Sequence, residues 1–447
     1  MPTPDRLPAL MAKRALDTLA TIVTRFGAKS VNLLVFLIVA RQLSLAEMAA
    51  YGFIFSTTLI YSTILDLGTR NSLAVFIGKE PALTHDYTRS GFFLWLVLSV
   101  LGVPAAYLTL RASDLGMAPA QLAAPFSILL AAMLYLRMMQ GTPLGTGDIK
   151  LFNRSELASR IALLIGTVLL LVIPGAFTLL GAVWALAISQ VAAALYLFAK
   201  QLPAIRVPSG KSTATALAWK LVSRGFLFML SVLLMNAAKR VSFLVVSHTS
   251  ASDDAGTFFA LQRLTEIITE VGMAIAVVAF SYSVRSSSTK EAVDSSAAML
   301  RTSMLLFTVV SVAMIATADV SVPLLLGSQF SADGWLFVLL VAATLSGAPW
   351  TILFPSLSVV LSPFRVFLLM LPGVMLNIVT AKPLTEAYGL NGAAISMLIS
   401  NVVLTLSFLL VYRVAFSVPI HRFLIINRDD LAGMRALLEK LRMRLRR

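Results

Sequence analysis

Lys239 and Arg240 stand side by side in the apolar stretch FLFMLSVLLMNAAKRVSFLVV, and Arg25 and Lys29 stand four residues apart in TIVTRFGAKSVNLLVFLIVA. A third apolar stretch carries Arg263, Glu266 and Glu270, which a helix places on one common face. Charge in hydrocarbon is costly, at least about 2.5 kcal/mol per group at the centre of a bilayer, so such side chains face a cavity or a partner. Five of these seven groups are cations. A guanidinium grips phosphate oxygens in a two-point fork and an ammonium acts as a point charge, so Arg25, Lys29, Lys239, Arg240 and Arg263 suit a phosphate-bearing anion. Each has a plainer role beside this one. Arg25 lies within two turns of its helix end and can snorkel to the interface, and Arg263 and Glu266 at i,i+3 can neutralise each other locally. Asp66 and Arg70 at i,i+4 read first as a structural pair. Glu266, Glu270 and Asp66 are the carboxylates open to charge balance or to proton or sodium coupling.

Several chemistries are excluded. There is no cysteine, so thiol nucleophiles, thiolate metal sites and disulfides are out. The three histidines, His85, His248 and His421, are too scattered for a metal or catalytic set. The run Gly145-Thr146-Gly147-Asp148-Ile149-Lys150 lacks the GxxxxGK[ST] spacing that cradles nucleotide phosphates, and no hydrolytic triad is visible. The expectation is a protein that is not an enzyme and needs no cofactor or metal.

The elements that must hold these charges follow from hydropathy. Of 447 residues, 58% are hydrophobic and 13% charged, with a mean hydropathy of +0.87, whereas soluble domains carry roughly 25% charged residues. Apolar stretches long enough to cross a bilayer as helices recur near 19–40, 49–77, 88–110, 118–142, 155–174 and 177–199, then 222–247, 255–281, 296–320, 330–357, 364–381 and 389–415. The expected fold is therefore all-α and integral to a membrane, with twelve transmembrane helices. Residues 1–18 read as a cytoplasmic segment rather than a cleavable signal, and 201–221 as a Pro-, Ser- and Thr-rich cytoplasmic linker. Residues 416–447 repeat Leu431, Met434, Leu438, Leu441 and Leu445 between basic side chains, the pattern of a helix lying on anionic lipid. The net charge of +15 sits in alternate short loops (Arg70, Lys79 and Arg89; Lys150 and Arg154; Lys200, Arg206 and Lys211; Arg285 and Lys290). That bias places both termini in the cytoplasm and argues against nucleic acid as a partner.

The chain repeats itself. Ala28-Lys29-Ser30-Val31-Asn32 reads against Ala238-Lys239-Arg240-Val241-Ser242, an offset of 210, and GAVWALAISQV from Gly181 reads against GAAISMLISNV from Gly392, an offset of 211. Two matches at nearly one offset point to duplication of a six-helix unit, 19–200 and 222–415. Six spans per unit is an even number, so the repeats enter from the same side, the geometry of lobes that rock about a central site.

RQLSLAEMAAYGFI, ILDLGTRNSL, AGTFFALQRLTEII and YGLNGAAISMLISN, in that order, resemble polysaccharide flippases of the Wzx type. These belong with MATE drug exporters and the lipid II flippase MurJ in the multidrug/oligosaccharidyl-lipid/polysaccharide (MOP) exporter superfamily. The first stretch departs from the pattern at Ser44, where a glycine is usual. The resemblance implies a two-lobed, V-shaped fold and alternating access, in the cytoplasmic membrane of a bacterium. Its implied substrate is a polyprenyl-diphosphate-linked oligosaccharide carried to the outer leaflet, with membrane lipids and other polysaccharide-assembly membrane proteins as partners. The diphosphate would meet the five cations. The alternative is a cation-coupled multidrug exporter of the MATE type, for which Glu266 and Glu270 are the available carboxylates.

Overall fold

The computed structural model describes residues 27, 30–113, 116, 118–207, 214–285, 289–331 and 334–420. The expected N-terminal segment and the amphipathic tail from residue 421 on lie outside these. Among the described residues every regular element is a helix. In order they are α1 (Ser30–Gln42), α2 (Leu45–Asp66), α3 (Thr69–Lys79), α4 (Thr84–Arg111), α5 (Pro119–Met139), α6 (Gly141–Thr146), α7 (Ile149–Val172) and α8 (Leu179–Arg206). Then come α9 (Ala214–Thr249), α10 (Ser252–Arg285), α11 (Thr289–Ala316), α12 (Ala318–Leu326), α13 (Trp335–Val360) and α14 (Pro363–Phe416).

Nine of these stretches are long and apolar enough to cross a membrane, counting α14 once. With α1, α10 and a second pass of α14 they account for the twelve expected spans, since α14 is 54 residues long and leaves helical geometry at Gly389 (φ 59°, ψ −143°). The chain reverses there: Thr380 and Ser396 share a hydroxyl hydrogen bond of 2.8 Å, and Ser400 Oγ donates to the Gly373 carbonyl at 2.8 Å. Apolar side chains on α4 (Val97, Val100, Leu101) and α7 (Ile165, Leu169, Val172) are exposed in rows three and four apart. In a chain that crosses a bilayer such rows face lipid, and the chain is a multi-pass membrane protein.

Three departures from the sequence reading have local causes. The second expected span breaks into α2 and α3 because Leu67 (φ 48°) and Gly68 (φ 70°) are both left-handed. A β-carbon on Gly68 would lie 2.0 Å from the Gly225 carbonyl oxygen of α9, so only glycine fits this corner. The expected linker 201–221 is helical at both ends, because α8 runs to Arg206 and α9 begins at Ala214. The apolar side of that extension is buried: Leu217 and Leu221 pack with Leu73, Ile77 and Tyr87. The described residues fall into two compact units that divide after Asn236, inside α9 and not at the linker. Lastly, the loop expected at 382–388 is helical, and the turn is confined to Gly389.

Ser44, the departure from the family pattern, caps α2. Glu47 N–H donates to its Oγ at 3.3 Å, while the Ser44 N–H donates to Glu47 Oε2 at 3.0 Å. Glu47 also accepts from the Leu179 N–H at the start of α8 (3.4 Å), so one carboxylate serves two helix N-termini. The duplicated glycines do the same work in each unit. A β-carbon on Gly181 would lie 2.4 Å from the Ala176 carbonyl oxygen, and one on Gly392 would lie 1.8 Å from that of Leu384.

Candidate functional site

In the second unit α9 carries Lys239 and Arg240, and α10 carries Arg263 and Glu266 one turn apart. The register between these helices is set by polar groups that find partners in an apolar setting. Gln262 Nε2 donates to the Lys239 carbonyl at 2.7 Å, and the Phe243 and Phe259 rings lie 4.8 Å apart. Ser242 Oγ donates to Asn377 Oδ1 of α14 at 3.0 Å, which fixes the face that α9 turns toward the third helix.

That register puts the Arg240 guanidinium against the Glu266 carboxylate at two points, Nη1 to Oε1 at 3.0 Å and Nη2 to Oε2 at 3.2 Å. Arg263 Nη1 also donates to Glu266 Oε2. Arg240 is 3% exposed and Glu266 7%, whereas Arg263 and Lys239 are partly exposed. Among the described residues Glu266 thus has Arg240 and Arg263 against its carboxylate and Lys239 beside Arg240 on α9.

The structure therefore brings together Lys239, Arg240, Arg263 and Glu266. Arg25 and Lys29 lie outside the described residues, as does the side chain of Glu270. Asp66 belongs to the first unit and to a different cluster. Its expected i,i+4 partner engages it through the backbone, the Arg70 N–H donating to Oδ1 at 3.3 Å. Its charged neighbour across helices is Arg137 of α5, with Nε 3.7 Å from Oδ2. The Arg70 guanidinium lies over the Phe152 ring, 5.3 Å from its centroid. Sequence reasoning missed Arg137, although a lone arginine within LLAAMLYLRMM carried the same signal as Arg263.

It also missed a cluster at the end of the first unit's α3. Lys220 Nζ donates to Glu80 Oε1 at 3.0 Å and to the Tyr87 hydroxyl at 2.7 Å. The Tyr87 hydroxyl donates to Glu80 Oε2 at 2.7 Å, and Phe76 stacks on Tyr87 with the rings 9° from parallel. Among the described residues no group of three or more His, Asp or Glu side chains could hold a metal ion.

The sequence matches the polysaccharide biosynthesis protein family over residues 16–287. No curated protein matches it. Among solved structures, the lipid II flippase MurJ in an inward closed conformation is similar with a TM-score of 0.68 at 16% identity, covering 94% of this chain and 93% of that one. A MATE protein in the straight conformation is similar with a TM-score of 0.62 at 18% identity, covering 90% and 95%. A MOP superfamily transporter from Pyrococcus furiosus, for which reverse polarity of the binding pocket suggests a different function, has a TM-score of 0.61 at 17% identity and covers 89% and 94%. At these identities the likeness is one of fold.

Proposed function

Since the chain belongs to the polysaccharide biosynthesis protein family, we propose that it is a flippase that carries a polyprenyl-diphosphate-linked oligosaccharide from the cytoplasmic to the outer leaflet by alternating access. The observation that carries this reading is the gathering of Lys239, Arg240 and Arg263 at one carboxylate within apolar helices, with Lys239 and Arg263 partly exposed. Cations inside a membrane span are costly, and guanidinium and ammonium groups both suit the oxygens of a diphosphate. The MurJ structure, a lipid II flippase, supports a lipid-linked substrate for this fold. The Pyrococcus furiosus transporter supports reading function from the polarity of the pocket.

In this reading Lys239 and Arg263 touch the head group, while Arg25 and Lys29 of the first expected span lie outside the described residues. Six spans in each duplicated unit and the basic loops put both termini in the cytoplasm of a bacterial inner membrane, with the lipid tail left in the bilayer. A MATE-type cation exporter would need a carboxylate open to an organic cation or a proton. Glu266 is held by two guanidiniums, which favours charge balance as its role. Proton or sodium coupling then falls to Glu270 or Asp66.

The test is transport of a lipid-linked oligosaccharide in reconstituted vesicles. Lys239→Gln and Arg263→Gln each remove a charge-assisted contact worth about 1.5 to 3 kcal/mol and are expected to weaken substrate binding roughly tenfold or more. Lys29→Gln should do the same and Lys29→Arg less. Normal transport by well-expressed Gln variants at all three positions would refute the reading, and a gain in export of organic cations would point to the multidrug alternative.

A further inference from the structure

Asp66 and Arg137 are a charged pair that the head-group reading leaves unused, and both belong to the first unit. Asp66 ends α2, where its Oδ1 accepts the Arg70 N–H at 3.3 Å, and Arg137 lies in the last turn of α5. The Arg137 Nε stands 3.7 Å from Asp66 Oδ2, beyond the roughly 2.7 to 3.2 Å of an N–H···O hydrogen bond. That Nε is buried and makes no hydrogen bond among the described residues. Glu80 and Lys220, by contrast, close to 3.0 Å. The chain neighbours of the pair hold it at its spacing: Leu65, beside Asp66, packs on a buried cluster that includes Leu136 and Met138 on either side of Arg137. A buried ion pair is tolerated when its remaining donors and lone pairs are met, and here they are not met from within the unit.

We propose that the Asp66–Arg137 pair is a binding site for a sugar hydroxyl of the substrate's oligosaccharide. An oxygen about 2.8 Å from both atoms fits beside the line that joins them, donating its hydrogen to Asp66 Oδ2 and accepting the Arg137 Nε–H. A group that completes this pair must both donate and accept. An ionised phosphate has oxygens for the arginine and no proton for the aspartate, and the charges of the pair cancel, so a second anion gains little there. An ammonium has donors and no acceptor. A hydroxyl meets both needs, and a glycan carries many. The pair is within reach, because the Arg137 side chain keeps 18% of its surface exposed and that of Asp66 9%. Water has the same chemistry and is what the sugar displaces. The inference rests on the lipid-linked-oligosaccharide reading above and adds a place for its sugar. Asp66 in this role stays ionised and is not the coupling carboxylate.

Calorimetry on the purified protein in detergent tests this with two probes, farnesyl diphosphate, which has no sugar, and the lipid-linked oligosaccharide extracted from the cells that produce the chain. Asp66→Asn/Arg137→Met has the net charge of the wild type, strands no buried ion and keeps an acceptor for the Arg70 N–H, so it is expected to fold. It should bind the lipid-linked oligosaccharide about tenfold more weakly, because the charge-assisted contacts to the hydroxyl are gone, and bind farnesyl diphosphate as the wild type does. Arg137→Lys keeps the charge without the Nε donor and should show a smaller loss, again on the sugar-bearing probe alone. If neither variant loses affinity for either probe while Arg263→Gln loses it for both, the pair holds water alone and the head-group reading survives. Equal weakening of both probes would make the pair structural and overturn the sugar site. If Arg263→Gln binds both probes as the wild type does, the head-group reading itself fails, and the sugar site still stands or falls on the oligosaccharide measured with the double variant.

Discussion

Lys220 is held from several sides at once, which gives a partly exposed ammonium a fixed position. Its Nζ has Glu80 and the Tyr87 hydroxyl as acceptors and lies 4.6 Å from the centroid of the Phe76 ring. A lone surface ion pair contributes little, and the aromatic faces and the shared hydroxyl are what distinguish this one. The Tyr87 hydrogen bond, and after it the one from Lys220, hold the Glu80 carboxyl below the usual carboxylate range. Both partners favour the ionised form, so the cluster's contribution to stability is fully present above the unfolded-state value and is lost as pH falls through the depressed folded one. The thermal midpoint of the protein in detergent is therefore expected to drop on acidification through and below the ordinary carboxylate range, and Glu80→Gln should flatten that part of the profile. An unchanged acid limb in the Gln variant would assign the loss to other carboxylates. None of this cluster was legible in the sequence, because Glu80 and Lys220 are 140 residues apart and local spacing carries no signal for a partner chosen across helices. Arg263 and Glu266 were legible as a pair because they are three residues apart; that Arg240 joins them was not.

At the scale of elements, the early half of α9 is fitted to the first unit by backbone contact as well as by side chains. Gly225 meets the Leu67–Gly68 corner, where a β-carbon on Gly225 would lie 2.4 Å from the Leu67 carbonyl oxygen, and Asn236 Nδ2 donates to Thr63 Oγ1 at 2.8 Å. The clash at Gly225 is with backbone, which cannot rotate away. Gly225→Ala is accordingly expected to cost about 3 kcal/mol or more, seen as a lowered thermal midpoint and faster proteolysis before α9. Gly78→Ala is the control, since its β-carbon would meet only the Gly145 carbonyl oxygen at an ordinary 3.7 Å, and helix propensity favours alanine by up to about 1 kcal/mol. Equal stability of the two variants would show that the corner can open. The long apolar helices were legible because an apolar run long enough to cross hydrocarbon admits few structures other than a helix. The break at Leu67–Gly68 was not, because a continuous apolar run hides a left-handed corner whose cause is a neighbour more than 150 residues later at Gly225.

At the scale of the molecule, the order of motifs resembles that of the MOP superfamily, the chain belongs to the polysaccharide biosynthesis protein family, and its fold is like those of MurJ and MATE. Degenerate motifs sufficed because they mark helix ends and corners, such as the Ser44–Glu47 capping box and the Leu67–Gly68 turn, which the fold requires whatever is transported. Orientation is a separate matter, argued from charge. Basic residues gather in alternate loops, and a helix of 36 residues such as α9 is about 54 Å long, ample to cross hydrocarbon of about 30 Å. Ser209, outside the described residues, precedes it in the sequence and Ser252 opens α10, so the two are expected on opposite sides. The end of α8, with Lys200 and Arg206, should be cytoplasmic, and Asp253 and Asp254 at the start of α10 mark the other face. Because the chain has no cysteine, single cysteines at 209 and 252 report without background. With the outer membrane permeabilised, an impermeant maleimide applied to intact cells is expected to label position 252 and to spare 209 until the inner membrane is opened. The reverse pattern would invert every span and place the basic residues of the alternate connections outside.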